Sequence, residues 1–246
     1  MILELDCGNS LIKWRLVANS DSEVLQQGSG EHISDLLEWL SRLQAAVLSG
    51  CRMVSVRSAP ETEEIKAAVA ECLGVAVLLA KPARQLGGVT NGYKEYEALG
   101  LDRWLAMVAA YSLAHGSCLV IDLGTAATVD LVSEDGMHLG GYITPGLSLL
   151  REQLFGHTKR IRYRAAITNQ APVSLSPGTS TAEAVERGCR LMLKSYVREQ
   201  IGEASQWLGS NFSIYATGGD APLLADIPGV RVVPDLVFKG LEIACS

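Results

Sequence analysis

Leu3-Glu4-Leu5-Asp6-Cys7-Gly8-Asn9-Ser10 and Leu119-Val120-Ile121-Asp122-Leu123-Gly124-Thr125-Ala126 are one phrase written twice. Each runs an apolar strand into Asp-x-Gly-(Asn/Thr), and more strand-like sequence follows. The copies are offset by 116 residues (122 − 6), a little under half of the 246 in the chain. Glycine lets the backbone turn tightly and bring N–H groups against phosphate oxygens. An Asp beside it can hold a metal, directly or through water. Taken singly, such a turn is also an ordinary hairpin turn, because Asn, Gly and Ser favour turns. Repetition in register argues instead for two like halves facing a single polyphosphate. Asp122 adds a reason of its own: it closes a strongly apolar strand, where an unpaired carboxylate is costly and a cation relieves the cost.

Working outward from the first copy, Met1–Asp6 and Leu11–Val17 read as an antiparallel hairpin, with a third strand near Val24–Gly28. Ser34 is placed to cap a helix carrying Leu36, Leu37, Leu40 and Leu43 on one face. Arg52–Val56 reads as a strand, Pro60–Leu73 as a helix ended by Gly74, and Val75–Leu79 as another strand. Strands first and helix–strand alternation afterwards indicate an α/β layered domain. A Gly/Asn-rich loop (Gly87-Gly88-Val89-Thr90-Asn91-Gly92-Tyr93) precedes a helix from Leu101 to Ala114. The pattern then restarts with strands at Cys118–Asp122, Thr128–Val132 and Met137–Tyr142 and a helix from Gly146. Residues 164–180, rich in Pro, Ser and Thr, read as a loop. The box Ser180-Thr181-Ala182-Glu183 announces a long helix to Leu208. Phe212–Thr217 reads as a strand running into Thr217-Gly218-Gly219-Asp220, and Leu236–Ala244 as an amphipathic tail docked on the body. The predicted domains are 1–115 and 116–246.

A composition of 48% hydrophobic and 20% charged residues is that of an ordinary globular protein. The formal charge of −6 disfavours nucleic acid as a partner. The basic run Lys159-Arg160-Ile161-Arg162-Tyr163-Arg164 reads as a solvated or dimer-facing surface. The six cysteines show no C-x-x-C pair and no zinc spacing, which fits a reducing cytoplasm. No apolar stretch approaches the ~20 residues that span a bilayer, and no signal peptide is visible. P-loop, Rossmann glycine, H-E-x-x-H and G-x-S-x-G motifs are absent. None of the four histidines stands beside a nucleophile in sequence. If the protein handles phosphate, it does so through its Asp-Gly turns.

Between the two turns lies Leu99-Gly100-Leu101-Asp102-Arg103-Trp104. Asp102 at a helix start can simply answer the helix dipole. Beside it, the Arg103 guanidinium can grip a carboxylate or phosphate with two hydrogen bonds. A carboxylate next to a fixed arginine, near two phosphate turns, is what a kinase needs to accept its substrate's hydroxyl proton. The glycine junctions Gly140-Gly141-Tyr142-Ile143-Thr144-Pro145-Gly146 and Thr217-Gly218-Gly219 are conformational features that also suit close approach of backbone to a nucleotide.

Asp-x-Gly-Asn-Ser, Leu-Gly-x-Asp-Arg, Asp-x-Gly-Thr-Ala, Gly-Gly-x-Ile-x-Pro-Gly and Thr-Gly-Gly, in this order and spacing from residue 6 to about 221, resemble the type III pantothenate kinases. The resemblance implies an α/β fold of two duplicated ribonuclease H-like domains, the actin-like ATPase fold, with an interdomain ATP cleft. It implies ATP-dependent phosphorylation of the primary hydroxyl of pantothenate in coenzyme A synthesis, by a cytoplasmic homodimer needing Mg2+ and a monovalent cation (K+ or NH4+). Carried over by motif, Asp6, Cys7, Gly8, Asn9, Ser10, Leu11, Ile12 and Lys13 resemble the first phosphate-binding segment, with Asp6 near magnesium. Asp102 resembles the catalytic base. Tyr93, Gly100, Leu101 and Arg103 resemble the pantothenate site. Asp122 matches the monovalent-cation ligand and Thr125 an ATP contact, while Thr181 resembles a substrate contact supplied across the dimer. Ser10 replaces the commoner Thr and keeps its hydroxyl. Tyr96 stands where the family often has Pro, which bears on loop shape rather than chemistry.

Two other readings share these features. Another kinase of the same superfamily, acting on a sugar or small acid, needs both Asp-Gly turns but not Leu-Gly-x-Asp-Arg. A non-catalytic regulator on this fold would tolerate loss of a phosphate-site carboxylate, yet Asp6, Asp102 and Asp122 are all present.

Overall fold

The computed structural model describes residues 1–19, 23–42, 48–157 and 175–245. The chain divides into two compact units: Met1–His115 with Gly136–His138 and Asp235–Ser246, and Gly116–Asp135 with Leu139–Pro234. These differ from a plain halving at residue 116 in that Gly136–His138 and the C-terminal tail belong to the first unit.

In the first unit β1 (Ile2–Cys7) and β2 (Ile12–Val17) make the predicted hairpin, with Asp6 opposite Lys13. β3 (Val24–Gly30) adds antiparallel to β2. After α1 (Ile33–Ser41), β4 (Gly50–Ser55) lies parallel to β1. After α2 (Ala59–Leu73), β5 (Val77–Leu79) lies parallel to β4. The sheet order is β3-β2-β1-β4-β5. The short hairpin β6 (Gln85–Leu86) and β7 (Val89–Thr90) stands within the Gly/Asn-rich loop. Its turn residues Gly87 and Gly88 have φ of 56° and 84°, the left-handed pair that a two-residue hairpin favours. α3 (Leu101–Ala114) has the predicted bounds.

Alternation along β1 splits its side chains between two faces. Leu3, Leu5 and Cys7 join Ile12, Trp14, Cys51 and Met53 in a core closed by Leu36 and Leu40 of α1 and Ile65 and Val69 of α2. Glu4 and Asp6 take the other face. Fully buried Glu4 accepts hydrogen bonds from Arg15 Nε (2.5 Å) and Arg52 Nη1 (3.2 Å). Burial still holds its carboxyl above the ordinary carboxylate range, against the pull of Arg15.

The second unit repeats the plan. β8 (Cys118–Leu123) pairs antiparallel with β9 (Ala126–Val132), and β10 (His138–Pro145) adjoins β9. α4 (Leu147–His157) and α5 (Thr181–Leu208) precede β11 (Ser213–Thr217), which is parallel to β8, and β12 (Val230–Val232), which is parallel to β11. The order β10-β9-β8-β11-β12 reproduces that of the first sheet strand for strand. Leu119, Ile121 and Leu123 pack with Leu147 of α4 and Val185, Leu193 and Val197 of α5.

The tail forms α6 (Leu236–Ala244), which packs on α3 in the first unit. There Arg15 Nη1 donates to Asp235 (3.0 Å), Arg15 Nη2 donates to Glu242 (2.8 Å), and the guanidinium lies 4.7 Å from the Phe238 ring centroid. Two local expectations change. His32, not Ser34, is the N-cap of α1, because the Asp35 carboxylate accepts the His32 N–H (3.0 Å). At α5, Ser180 Oγ accepts the Glu183 N–H (3.2 Å), but the Glu183 carboxylate turns to the N–H and hydroxyl of Thr179 (2.8 and 3.0 Å). Leu43, the basic run at 159–164 and most of the predicted 164–180 loop lie outside the described residues.

Candidate active site

The candidate residues fall into two groups, one in each unit. In the first unit, Asp6 is the penultimate residue of β1, where the apolar strand gives way to the Gly8 turn. The turn closes through Gly8 N–H to Leu11 O (3.0 Å), and Arg57 Nε donates to Gly8 O (2.9 Å). Asn9, Ser10 and Leu11 are exposed and Lys13 is half-buried. Cys7 and Ile12 are fully buried, with their side chains in the core. Only their backbone can meet a phosphate, and burial pushes the Cys7 thiol up to about 12. Burial also pushes the Asp6 carboxyl up to about 6, with the Asp102 carboxylate adding to the rise and Lys13 opposing it. Asp6 and Asp102 are thus charge neighbours, 96 positions apart in sequence (102 − 6).

Asp102 occupies the first turn of α3, whose N-cap is Gly100. Its Oδ1 accepts the Arg103 N–H (2.8 Å), and the helix N-terminus favours its charge. A Cβ on Gly100 would come 2.8 Å from that oxygen. Arg103 is buried, and its Nη1 donates to the Tyr93 hydroxyl (3.0 Å). Leu101 is also buried, which leaves its backbone rather than its side chain for any ligand. Tyr93 is fixed from several sides. Its N–H donates to Asn91 Oδ1 (3.0 Å), its carbonyl accepts from Arg84 Nη1 (3.3 Å), and its ring stacks on His138.

In the second unit, Asp122 holds the position in β8 that Asp6 holds in β1. The two turns differ by one residue: Gly8–Leu11 separate the paired Cys7 and Ile12, whereas Gly124–Ala126 separate the paired Leu123 and Ala127. Gly146 N–H donates to Thr125 O (3.0 Å), which ties the start of α4 to this turn. Gly218, with φ of 92°, follows β11 beside it. A Cβ there would come 2.4 Å from Asp122 Oδ1 and 2.4 Å from Leu123 O. Only glycine therefore lets this backbone lie so close to the Asp122 carboxylate and the Leu123 carbonyl. Asp220 N–H donates to Leu123 O (3.0 Å), and burial holds the Asp220 carboxyl above its ordinary value. Thr181 is exposed at the start of α5.

A protein-family model for type III pantothenate kinase matches residues 2–203. The chain belongs to the type III pantothenate kinase family. It is 54% identical to the type III pantothenate kinase of Pseudomonas syringae pv. syringae over 246 residues, which is 100% of this chain and 99% of that one. It is 52% identical, over the same shares, to the type III pantothenate kinase of Pseudomonas putida KT2440. Solved structures extend the likeness in fold alone. An acetate kinase from Porphyromonas gingivalis matches with a TM-score of 0.51 at 12% identity, covering 99% of this chain and 98% of that one. A Campylobacter jejuni protein provisionally assigned to the Baf family of transcriptional activators matches at 0.61 and 19% identity, covering 98% and 95%. The family and the paired sheets agree on a duplicated ribonuclease H-like α/β fold.

Sequence reasoning missed Arg57, Asn91, Arg84 and His138. All four act on the backbone or ring of predicted residues rather than within a motif. The only sequence signal was the neighbouring glycines, which marked where chains approach closely.

Proposed function

We infer that this chain transfers the γ-phosphoryl group of ATP to the primary hydroxyl of pantothenate, forming 4'-phosphopantothenate in the first step of coenzyme A synthesis. The observation that carries the reading is 54% identity to a type III pantothenate kinase along the whole chain, with Leu-Gly-x-Asp-Arg intact at the start of α3.

The residue roles follow from position and chemistry. Asp102 accepts the hydroxyl proton of pantothenate as the phosphoryl group transfers. Its Oδ1 is engaged by the Arg103 N–H, so its orientation is set by the helix rather than by a mobile side chain. Buried Arg103 grips the pantothenate carboxylate, which turns the hydroxyl toward Asp102. Gly8 to Lys13 meet the phosphates through backbone N–H groups and the Lys13 ammonium, and Thr125 meets ATP from the other turn.

Magnesium suits Asp6, whose raised carboxyl and charged neighbour Asp102 are both relieved by a cation. Asp122 and the neighbouring Leu123 carbonyl, both packed against Gly218, are hard-oxygen donors of the kind that suits a monovalent cation. When bound, these ions neutralise charge on the phosphates.

The active form is a homodimer in which Thr181 serves the partner's substrate site. Exposed Leu139, Tyr142 and Ile143 on β10 and Leu191 and Met192 on α5 support this, since exposed apolar side chains favour burial in an interface. Among the described residues no helix is long and apolar enough to cross a membrane, and the six cysteines are free thiols, which fits a cytoplasmic enzyme.

An ATP-consumption assay with pantothenate and a panel of sugars, with and without potassium, tests the whole reading. Turnover that depends on pantothenate and rises with potassium is expected. A sugar-dependent reaction without one for pantothenate would overturn it.

A further inference from the structure

We propose that His138 is a positioning residue for pantothenate: it fixes the Tyr93 ring, and Tyr93 in turn fixes the Arg103 guanidinium. The inference rests on the reading of Arg103 as the group that grips the substrate carboxylate, and it adds a residue outside every motif of the site.

His138 lies 45 positions beyond Tyr93 (138 − 93) and belongs to the same compact unit. It is 1% exposed. Its imidazole and the Tyr93 ring stack with centroids 5.8 Å apart and planes 15° from parallel, within the range where aromatic pairs attract. The backbone is built to bring them together. Thr90 N–H donates to Gly136 O (2.8 Å), and Thr90 bridges in parallel to Met137. A Cβ on Gly92 would stand 1.9 Å from His138 O, so only glycine lets the Tyr93 loop lie this close.

Arg103 Nη1 donates to the Tyr93 hydroxyl (3.0 Å), and Arg103 Cζ lies 5.8 Å from the ring centroid. An arginine has five donors in a rigid fork, so anchoring one orients the others. The stack sets the ring, the ring sets the hydroxyl, and the hydroxyl sets the fork that meets a planar carboxylate. Losing the stack frees the ring to take other rotamers. The affinity lost is then about three- to tenfold, the worth of one aromatic pair.

The experiment compares steady-state kinetics of the unaltered full chain with His138→Ala, His138→Leu and His138→Phe, and also with Tyr93→Phe. Substrates are pantothenate and pantothenol, which has an alcohol in place of the carboxylate and serves as substrate or competitive inhibitor. His138→Ala should raise KM for pantothenate about three- to tenfold, with kcat and KM for ATP within twofold. His138→Leu keeps the packed volume without an aromatic face and should behave alike, which covers any failure of the alanine variant to fold. His138→Phe restores the stack and should return KM to within twofold. Tyr93→Phe keeps the stack but loses the hydroxyl, so it should resemble His138→Ala. Pantothenol has no carboxylate to grip, and its constants should be within twofold in the three His138 variants. An unmoved pantothenate KM in both His138→Ala and His138→Leu overturns the proposal. So does an equal effect on pantothenol, or no recovery in His138→Phe. Absence of pantothenate turnover in the unaltered chain would overturn the parent reading and this one with it.

Discussion

At the residue scale, the carboxylates carry the sharpest expectations. A positioned general base contributes roughly 10²–10⁴-fold to a rate. Asp102→Asn should therefore lose that factor in kcat while its circular dichroism and ATP affinity stay near those of the parent; near-normal turnover would remove Asp102 from the role. Asp6 makes a prediction about pH. Its carboxyl, ordinarily near 3.8, is pushed up to about 6 in the folded protein, chiefly by burial and secondarily by Asp102. The neutral form is thus favoured by folding. The contribution is complete below pH 3.8 and is lost as pH rises through 6. The shift corresponds to about 3 kcal/mol as an upper bound, less what solvent screens at a half-buried site. Urea denaturation in EDTA should show the parent losing stability relative to Asp6→Asn between pH 4 and 7, because the other raised carboxyls, Glu4 and Asp220, are common to both proteins. Parallel pH curves would refute the assignment. The strand-end positions of Asp6 and Asp122 were legible in sequence because each carboxylate closes an apolar run beside a glycine turn. His138 and Arg57 were not, because they serve the site through a ring face and a carbonyl, and neither contact leaves a pattern in spacing.

At the scale of elements, α3 and α5 have the predicted bounds, because a glycine or Ser start, sustained periodicity and a clear stop mark both. The start of α1 was misplaced by competition between neighbouring polar residues. Ser34 and Asp35 can both serve a helix start, and the longer Asp side chain reaches the His32 N–H. That α6 docks on the body was legible in its amphipathic pattern, but the close approach to α3 at Gly240 was not. Gly240 sits mid-helix, where propensity alone makes alanine better by up to about 1 kcal/mol. In the structure a Cβ there would lie 2.1 Å from Leu105 O and 2.6 Å from Leu105 C, both backbone atoms that no rotamer change can move. Overpacking of this kind costs about 1–3 kcal/mol. The clash outweighs the propensity, so Gly240→Ala should lower the melting temperature. A rise in melting temperature would mean that α3 and α6 separate without cost.

At the scale of the whole molecule, the duplication was legible from a phrase of eight residues, because Asp-x-Gly sits at the end of the corresponding strand in each copy, whereas the strand order itself came only with the structure. The duplication names neither substrate nor assembly. On the function proposed above, those depend on what the copies do not share: the α3 turn at Gly100–Arg103, and the exposed side chains on β10 and α5. β10 lies at the edge of its sheet, with Tyr142 50% and Ile143 61% exposed. An edge strand bearing such residues invites pairing unless an interface covers it. A closed two-fold dimer covers the same patch on both copies at once. Sedimentation of the 26.3 kDa chain should accordingly report twice that mass at micromolar concentration. Ile143→Glu and Met192→Glu should shift it toward the single chain. If Thr181 serves the partner's substrate site, activity per chain must also fall on dilution, following the dimer's own mass action, and the two glutamate variants should show the reduced, high-dilution activity at every concentration. A chain that stays single at micromolar concentration and keeps its specific activity on dilution would place Thr181 outside the substrate site and leave each protomer complete by itself.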